Sequence, residues 1–85
     1  MPHYYLHVCN GQGFAEDESG QEFADEGAAR RAAIDGLRDL MSAELRQGEL
    51  NMGSFVEIEN AAHELVATVS FEEAVRVRHA QGQRP

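Results

Sequence analysis

Three side chains with metal-binding chemistry lie near the start of the chain, at His3, His7 and Cys9. Their even spacing places all three on one face of an extended strand. Imidazole and thiolate groups are good ligands for Zn²⁺ or Cu. At about 3.3 Å per residue, however, His3 and His7 are roughly 13 Å apart, too far to share one ion. The metal-site hypothesis that stays open is His7 with Cys9 and a third ligand from a neighbouring strand.

The same residue types would allow a thiolate–imidazole pair between Cys9 and His7. The sequence offers no third residue to orient the imidazole and no recognisable oxyanion hole. It contains none of the motifs G-x-S-x-G, H-E-x-x-H, C-x-x-C, G-x-G-x-x-G or the P-loop. We therefore expect no catalytic residue, no cofactor and no enzymatic activity. The competing interpretation is that these side chains line a half-exposed sheet surface that faces solvent or a second copy of the chain.

An acidic segment follows, with six carboxylates and no basic residue between Glu16 and Glu26. A calcium-binding loop is one interpretation. Placing Gly20 at the sixth position of an EF-hand puts Ala15 at the first, where an aspartate is needed, and no helix precedes it. The EF-hand pattern therefore fails, and we expect a solvated acidic loop.

Composition limits the partners and the compartment. The 85 residues carry seven Lys or Arg against fifteen Asp or Glu, a formal net charge of −8. Binding to nucleic acid or to an anionic membrane is disfavoured because both need a positive field. One cysteine cannot form an internal disulfide, no apolar run approaches the ~20 residues of a membrane span, and the first residues lack the pattern of a signal peptide. These features predict a cytoplasmic protein.

The central element is a predicted helix from Asp25 to Gln47. Ala, Arg, Leu and Met dominate this stretch, Asp25 suits the N-cap, and Gly48 suits the residue after the C-cap. One apolar stripe is formed by Ala29, Ala33, Leu37, Leu40 and Met41, with Ile34 and Leu45 on its margin. At about 35 Å the helix exceeds a typical strand of about 20 Å. We expect its last turns to overhang the sheet and leave Glu44 in solvent or against a partner.

Strand patterns precede this helix. Met1 to Cys9 alternates at a period of two, with Tyr4, Leu6 and Val8 on the face towards the helix. The segment 10–13 is a turn signal, Phe14 to Glu18 runs back, and Gln21 to Phe23 forms a short second strand.

Further strand patterns follow the helix. Phe55 to Glu59 and Leu65 to Val69 predict a hairpin, with His63 in its loop. Ser70 and Glu73 have the spacing of a capping box, which begins a short helix through about Val77.

These elements predict one α+β domain over residues 1–78. It has a small antiparallel sheet in ββαββ order, one long helix packed on one face, and a short C-terminal helix. Residues 79–85 are polar and predict a flexible tail.

The opening MPHYYLHVCNG, followed by EDESGQEFAD and a helix that starts GAARRAA, resembles a family of short bacterial proteins, the domain of unknown function 6894. The matching positions are Tyr4, Tyr5, His7, Val8, Asn10, Gly11, Gly20, Glu22, Asp25, Ala28 and Ala29. The segment Leu65 to Phe71 is also similar to the C-terminal pattern of that family. The resemblance implies a fold but no activity, and it supplies no catalytic residue.

Three hypotheses about function follow. The first is a non-enzymatic structural or interaction domain that forms a homodimer, with Tyr5, His7, Glu44 and Arg46 as interaction residues, because one helix covers only one face of a sheet. The second is an antitoxin-like or regulatory partner of a basic protein, which rests on fold analogy. The third is metal binding through His7 and Cys9.

Overall fold

The structure is a computed structural model that describes residues 2–10 and 13–78. Its elements in chain order are β1 His3–Asn10, β2 Gly13–Ala15, β3 Gln21–Glu22, α1 Glu26–Arg46, β4 Phe55–Glu59, β5 Leu65–Ser70 and α2 Phe71–Ala74. The predicted α+β architecture is confirmed. The middle of the predicted turn at 10–13 and the predicted flexible tail at 79–85 lie outside the described residues.

One antiparallel sheet contains the five strands of the described residues, four of them in the order β2-β1-β4-β5. The short strand β3 pairs with β1 beyond the end of β2, so β2 and β3 share one edge of β1. This arrangement differs from the predicted return strand Phe14 to Glu18, because the pairing stops at Ala15 and resumes only at Gln21. The predicted hairpin of β4 and β5 is confirmed, with a β-bulge between Ile58 and Glu59.

The core lies between α1 and one face of the sheet. The predicted stripe supplies the four buried residues of α1, which are Ala29, Ala33, Leu37 and Met41. Val56, Ile58 and Val69 of the sheet and Phe71 of α2 join the core at exposures of 2% or less, together with Tyr4 and Ala74. Leu45, on the margin of the stripe, is 62% exposed, which agrees with the expectation that the last turns of α1 overhang the sheet.

Both ends of α1 are fixed by side chains. At the start, Asp25 Oδ1 accepts a hydrogen bond from the backbone N–H of Ala28 at 2.8 Å, as the N-cap prediction requires. At the end, Glu44 differs from the expectation of a carboxylate in solvent or against a partner. It is half-buried, and its Oε1 accepts a hydrogen bond from Asn51 N at 2.8 Å. The loop after α1 therefore folds back along the last turns of the helix.

The short helix α2 begins as predicted and ends early. Its capping box is present, with Ser70 Oγ accepting from Glu73 N at 3.3 Å. It ends at Ala74 instead of Val77, and Val75 is extended at φ −139° and ψ 159°. The carbonyl of Ala74, which would accept from residue 78 in a longer helix, accepts from Arg38 Nε at 2.8 Å.

Candidate functional site

The candidate site lies on the face of the sheet opposite α1, which we call the outer face. Antiparallel pairing places Tyr5 opposite Glu59, His7 opposite Glu57, and Cys9 opposite Phe55. Directly paired residues point to the same face, so the predicted alternation of β1 is confirmed. In residues 2–10 and 13–78, α1 and α2 both pack with the core on the other face.

A loop of five residues, Glu16–Gly20, folds over the middle of β1, and we call it the Asp17 loop. β2 pairs with residues 8–10 of β1 and β3 with residues 3–4, so the same edge of β1 lacks a strand partner between them. Asp17 fills this gap, because its Oδ2 accepts from Leu6 N at 3.1 Å and its Oδ1 accepts from Gly20 N at 3.0 Å. Glu16 and Glu18 are exposed, as expected of a solvated loop, but Asp17 is half-buried.

His7 is the buried centre of the outer face, with only 4% of the residue exposed. Its Nδ1 accepts a hydrogen bond from Asp17 N at 3.0 Å, and its Nε2 lies 3.0 Å from Glu59 Oε1. A backbone N–H can only donate, so Nδ1 carries no hydrogen. The neutral ring therefore has its hydrogen on Nε2 and donates it to the carboxylate. His7 was predicted as an interaction residue on a half-exposed face, but its side chain is enclosed by its own chain.

Two further side chains complete a group around Glu59. His63 Nδ1 lies 3.2 Å from the same Oε1 atom, and the ring of His63 stacks on Tyr5 with centroids 4.4 Å apart and planes at 22°. His63 adopts a left-handed conformation at φ 63° in the hairpin loop. We call Tyr5, His7, Glu59 and His63 the His7 cluster. Hydrogen bonds from His7, and then from His63, lower the pKa of the Glu59 carboxyl.

The tautomer of His7 argues against metal binding through this residue. A metal ion needs the lone pair of a ring nitrogen, but Nδ1 already uses its lone pair to accept from Asp17, and Nε2 carries the hydrogen. A metal at Nε2 would therefore require the Asp17 loop to release its bond. Within the described ranges 2–10 and 13–78, no three His, Cys, Asp or Glu side chains are grouped to hold a metal ion.

Cys9 is half-buried on the same face, and its environment disfavours the thiolate. Burial, and then the negative charge of Glu57, raise the pKa of the Cys9 thiol. A reactive cysteine needs the opposite environment, one that lowers the pKa. The geometry therefore gives no support to a thiolate–imidazole pair.

We expect Cys9 to react with iodoacetamide several-fold more slowly than glutathione at neutral pH, because the thiolate is the reactive form. The rate can be followed by mass spectrometry, and unfolding the protein in urea should remove the protection. Glu57→Gln removes the negative charge that helps to raise the pKa of Cys9, so it should raise the rate of reaction with iodoacetamide. A folded protein that reacts as fast as glutathione would contradict this prediction.

We also expect Glu59 to contribute to the pH dependence of stability. Because its pKa is lower in the folded protein, its contribution is present above the pKa of the unfolded chain and is lost as the pH falls through the folded pKa. The unfolding free energy should therefore decrease below about pH 5, and Glu59→Gln should make that decrease shallower. Urea titrations at a series of pH values measure the slope. Glu49→Gln, which removes an exposed carboxylate elsewhere, is the control and should leave the slope steep.

Comparison with known protein families gives a match. The model of the family described as Domain of unknown function (DUF6894) matches residues 3–72 of the chain. The chain belongs to this family. The match runs from the first residue of β1 to the second residue of α2, so the DUF6894 region contains the Asp17 loop and the whole His7 cluster. No curated protein and no solved structure matches the chain.

The four predicted interaction residues of this DUF6894 domain do not form one site. Tyr5 and His7 belong to the His7 cluster, whereas Glu44 and Arg46 lie at the end of α1. The positions of Asp17, Gly20 and Glu59 around His7 were not predicted from the sequence. An Asp three residues before a Gly is a turn pattern, and this is the one signal that could have drawn attention to the Asp17 loop.

Proposed function

We propose that this DUF6894 domain is a small, non-enzymatic protein-interaction module that associates with a second copy of itself. The observation that carries the proposal is the outer face, where aromatic side chains lie without a covering layer in the described residues. Tyr5 and Phe55 are half-buried, and Phe14 is 56% exposed. Apolar surface of this kind is stabilised by a partner. A reducing compartment, the cytoplasm, suits a chain with a single cysteine.

Several features of the chain support an interaction role over catalysis. The rings of the outer face pack on one another, with His7 and Phe14 5.6 Å apart and Tyr5 and His63 4.4 Å apart. The titratable side chains at the centre are engaged in internal hydrogen bonds, and the cysteine is held as a thiol.

No helix in residues 2–10 and 13–78 is both long enough and apolar enough to cross a bilayer.

Sedimentation velocity of the untagged protein tests the proposal. We expect a concentration-dependent dimer between about 1 and 100 µM, the range of a moderate self-affinity. The folded state should be checked by circular dichroism in the same buffer. A single monomeric species across this range would contradict self-association.

A second candidate function is binding to a basic protein, in the manner of an antitoxin or a regulatory partner. The exposed carboxylates between Glu16 and Glu26 favour it, because the described residues offer no cation to Glu16, Glu18, Glu22 and Glu26. Affinity purification from the native host, with elution by salt and mass spectrometry, would recover a basic protein. Recovery of no partner by a competent bait would count against this function.

A further inference from the structure

We propose that a groove beside the C-terminal half of α1 receives Phe14 and the neighbouring glutamates, Glu16 and Glu18, from a second copy of the chain. This inference rests on the self-association proposed above and names the surface that mediates it. By two-fold symmetry the contact would occur twice in a dimer, because each copy offers both a groove and a Phe14 segment.

The groove is an open, largely apolar hollow of about 450 Å³. It is lined by Arg38, Met41, Ser42, Leu45, Arg46 and Val75. The side chain of Leu45 is 62% exposed here, although the surrounding helix is well packed on its other side. None of the lining residues is acidic. The groove therefore combines uncovered apolar surface with a positively charged rim.

The positive charge of this region is available to a partner. In the described residues, Arg46 has no ion pair, and neither has Arg76 or Arg78, which come one and three positions after the lining residue Val75. Arg38 is held in place by its Nε, which donates to Ala74 O at 2.8 Å, and its Nη1 lies 3.8 Å from Asp35. In a chain of net charge −8, two of the seven basic residues, Arg38 and Arg46, thus line one groove.

The proposed occupant has the complementary chemistry. Phe14 is 56% exposed at the centre of β2, and pairing with Cys9 fixes its backbone. Glu16 and Glu18 follow it, are exposed, and have no ion pair in the part of the chain that the structure describes. An aromatic anchor followed by two free carboxylates matches an apolar hollow edged by arginines, since aromatic anchors in pockets and complementary charge favour association.

The groove cannot receive the Phe14 segment of its own chain. The sheet order places β2 at one edge and β5 at the other. The groove lies on the β5 side, because Val75 follows the short helix α2, which packs against β5 and α1. A second copy removes this constraint. Docking would also bring the helix end, with Arg46, against the outer face, so two separate groups of predicted interaction residues would meet across the interface.

Paired charge reversals test the inference. The groove variant carries Arg46→Glu and Arg76→Glu, and the loop variant carries Glu16→Arg and Glu18→Arg. These side chains have no ion pair in the described residues, so the fold should be retained, which circular dichroism and thermal unfolding will verify. We expect each variant alone to dimerise about tenfold more weakly or worse. Mixing the two in equal amounts should restore association, because both contacts of the mixed dimer again join opposite charges.

A control variant and a salt titration accompany the charge reversals. Arg31→Glu changes an exposed arginine of α1 outside the groove lining and should leave the dimer unchanged. Raising the salt concentration should weaken the wild-type dimer, which keeps the test valid if a variant fails to fold. This interface would be overturned, with self-association left intact, if both variants dimerised as tightly as the wild type or if salt did not weaken the wild-type dimer. It would also be overturned if both variants were monomeric and did not associate on mixing. A monomeric wild type would overturn both proposals.

Discussion

Replacing Gly20 with alanine is expected to lower the unfolding free energy by about 2–4 kcal/mol. Gly20 ends the Asp17 loop in a left-handed conformation at φ +67°. A Cβ at this position would lie 2.6 Å from His3 Nε2, 2.7 Å from Tyr4 O and 2.9 Å from Tyr5 Cδ1. The carbonyl belongs to β1, which is paired on both sides and cannot move away. Backbone strain and steric overlap therefore act together.

Gly36→Ala is the matched control, because the same atom is added in a different environment. Gly36 is exposed within α1, and a Cβ there would meet nothing within 4 Å. Alanine is a better helix former than glycine, so the unfolding free energy of this variant should rise by roughly 0.5–1 kcal/mol. Urea unfolding of both variants measures the difference, which for a domain of this size amounts to several degrees of melting temperature per kcal/mol. Equal stability of Gly20→Ala and the wild type would show that the Asp17 loop does not rest on β1.

Truncating His7 is the second substitution with a large expected effect. We expect His7→Ala to lower the unfolding free energy by about 3 kcal/mol. The variant would leave a cavity beneath the Asp17 loop. It would also leave the Asp17 N–H without its acceptor and Glu59 without its buried donor. Since a domain of this length has a total stability of roughly 4–13 kcal/mol, this loss is a large part of the whole. Amide exchange at Asp17 should accelerate along with the global loss.

Two further variants separate the hydrogen bonds from simple packing. His7→Asn places an amide oxygen near the position of Nδ1, so it can retain the bond from Asp17 while it loses the bond to Glu59, and we expect an intermediate loss. His63→Asn changes the other histidine of the cluster, whose side chain is 63% exposed. Asparagine tolerates the left-handed conformation, so the expected loss is under about 1 kcal/mol. Similar losses for His7→Ala and His63→Asn would contradict the central position of His7.

Much of the fold follows from short-range patterns. The cap at Asp25, the apolar stripe of α1 and the capping box at Ser70 all act within one or two helical turns, so the local sequence is enough to place them. The alternation of β1 likewise assigns each side chain to a face, because consecutive residues of a strand must point in opposite directions. These predictions were correct, whereas the hydrogen bond of Glu44 with Asn51 was not predicted, because the path of the loop after α1 is not a local property.

The candidate site depends mostly on contacts between residues that are far apart in the sequence. The sequence by itself determined that Tyr5, His7 and Cys9 share a face, but alternation says nothing about what covers that face. Glu59 reaches His7 from 52 positions away, and the Asp17 loop reaches it from ten. Those contacts depend on the register of β1 against β4 and on the gap between β2 and β3. Only the tertiary structure therefore decided that His7 is an enclosed hydrogen-bonded centre, while Phe14 and Leu45 in the groove beside α1 stay exposed.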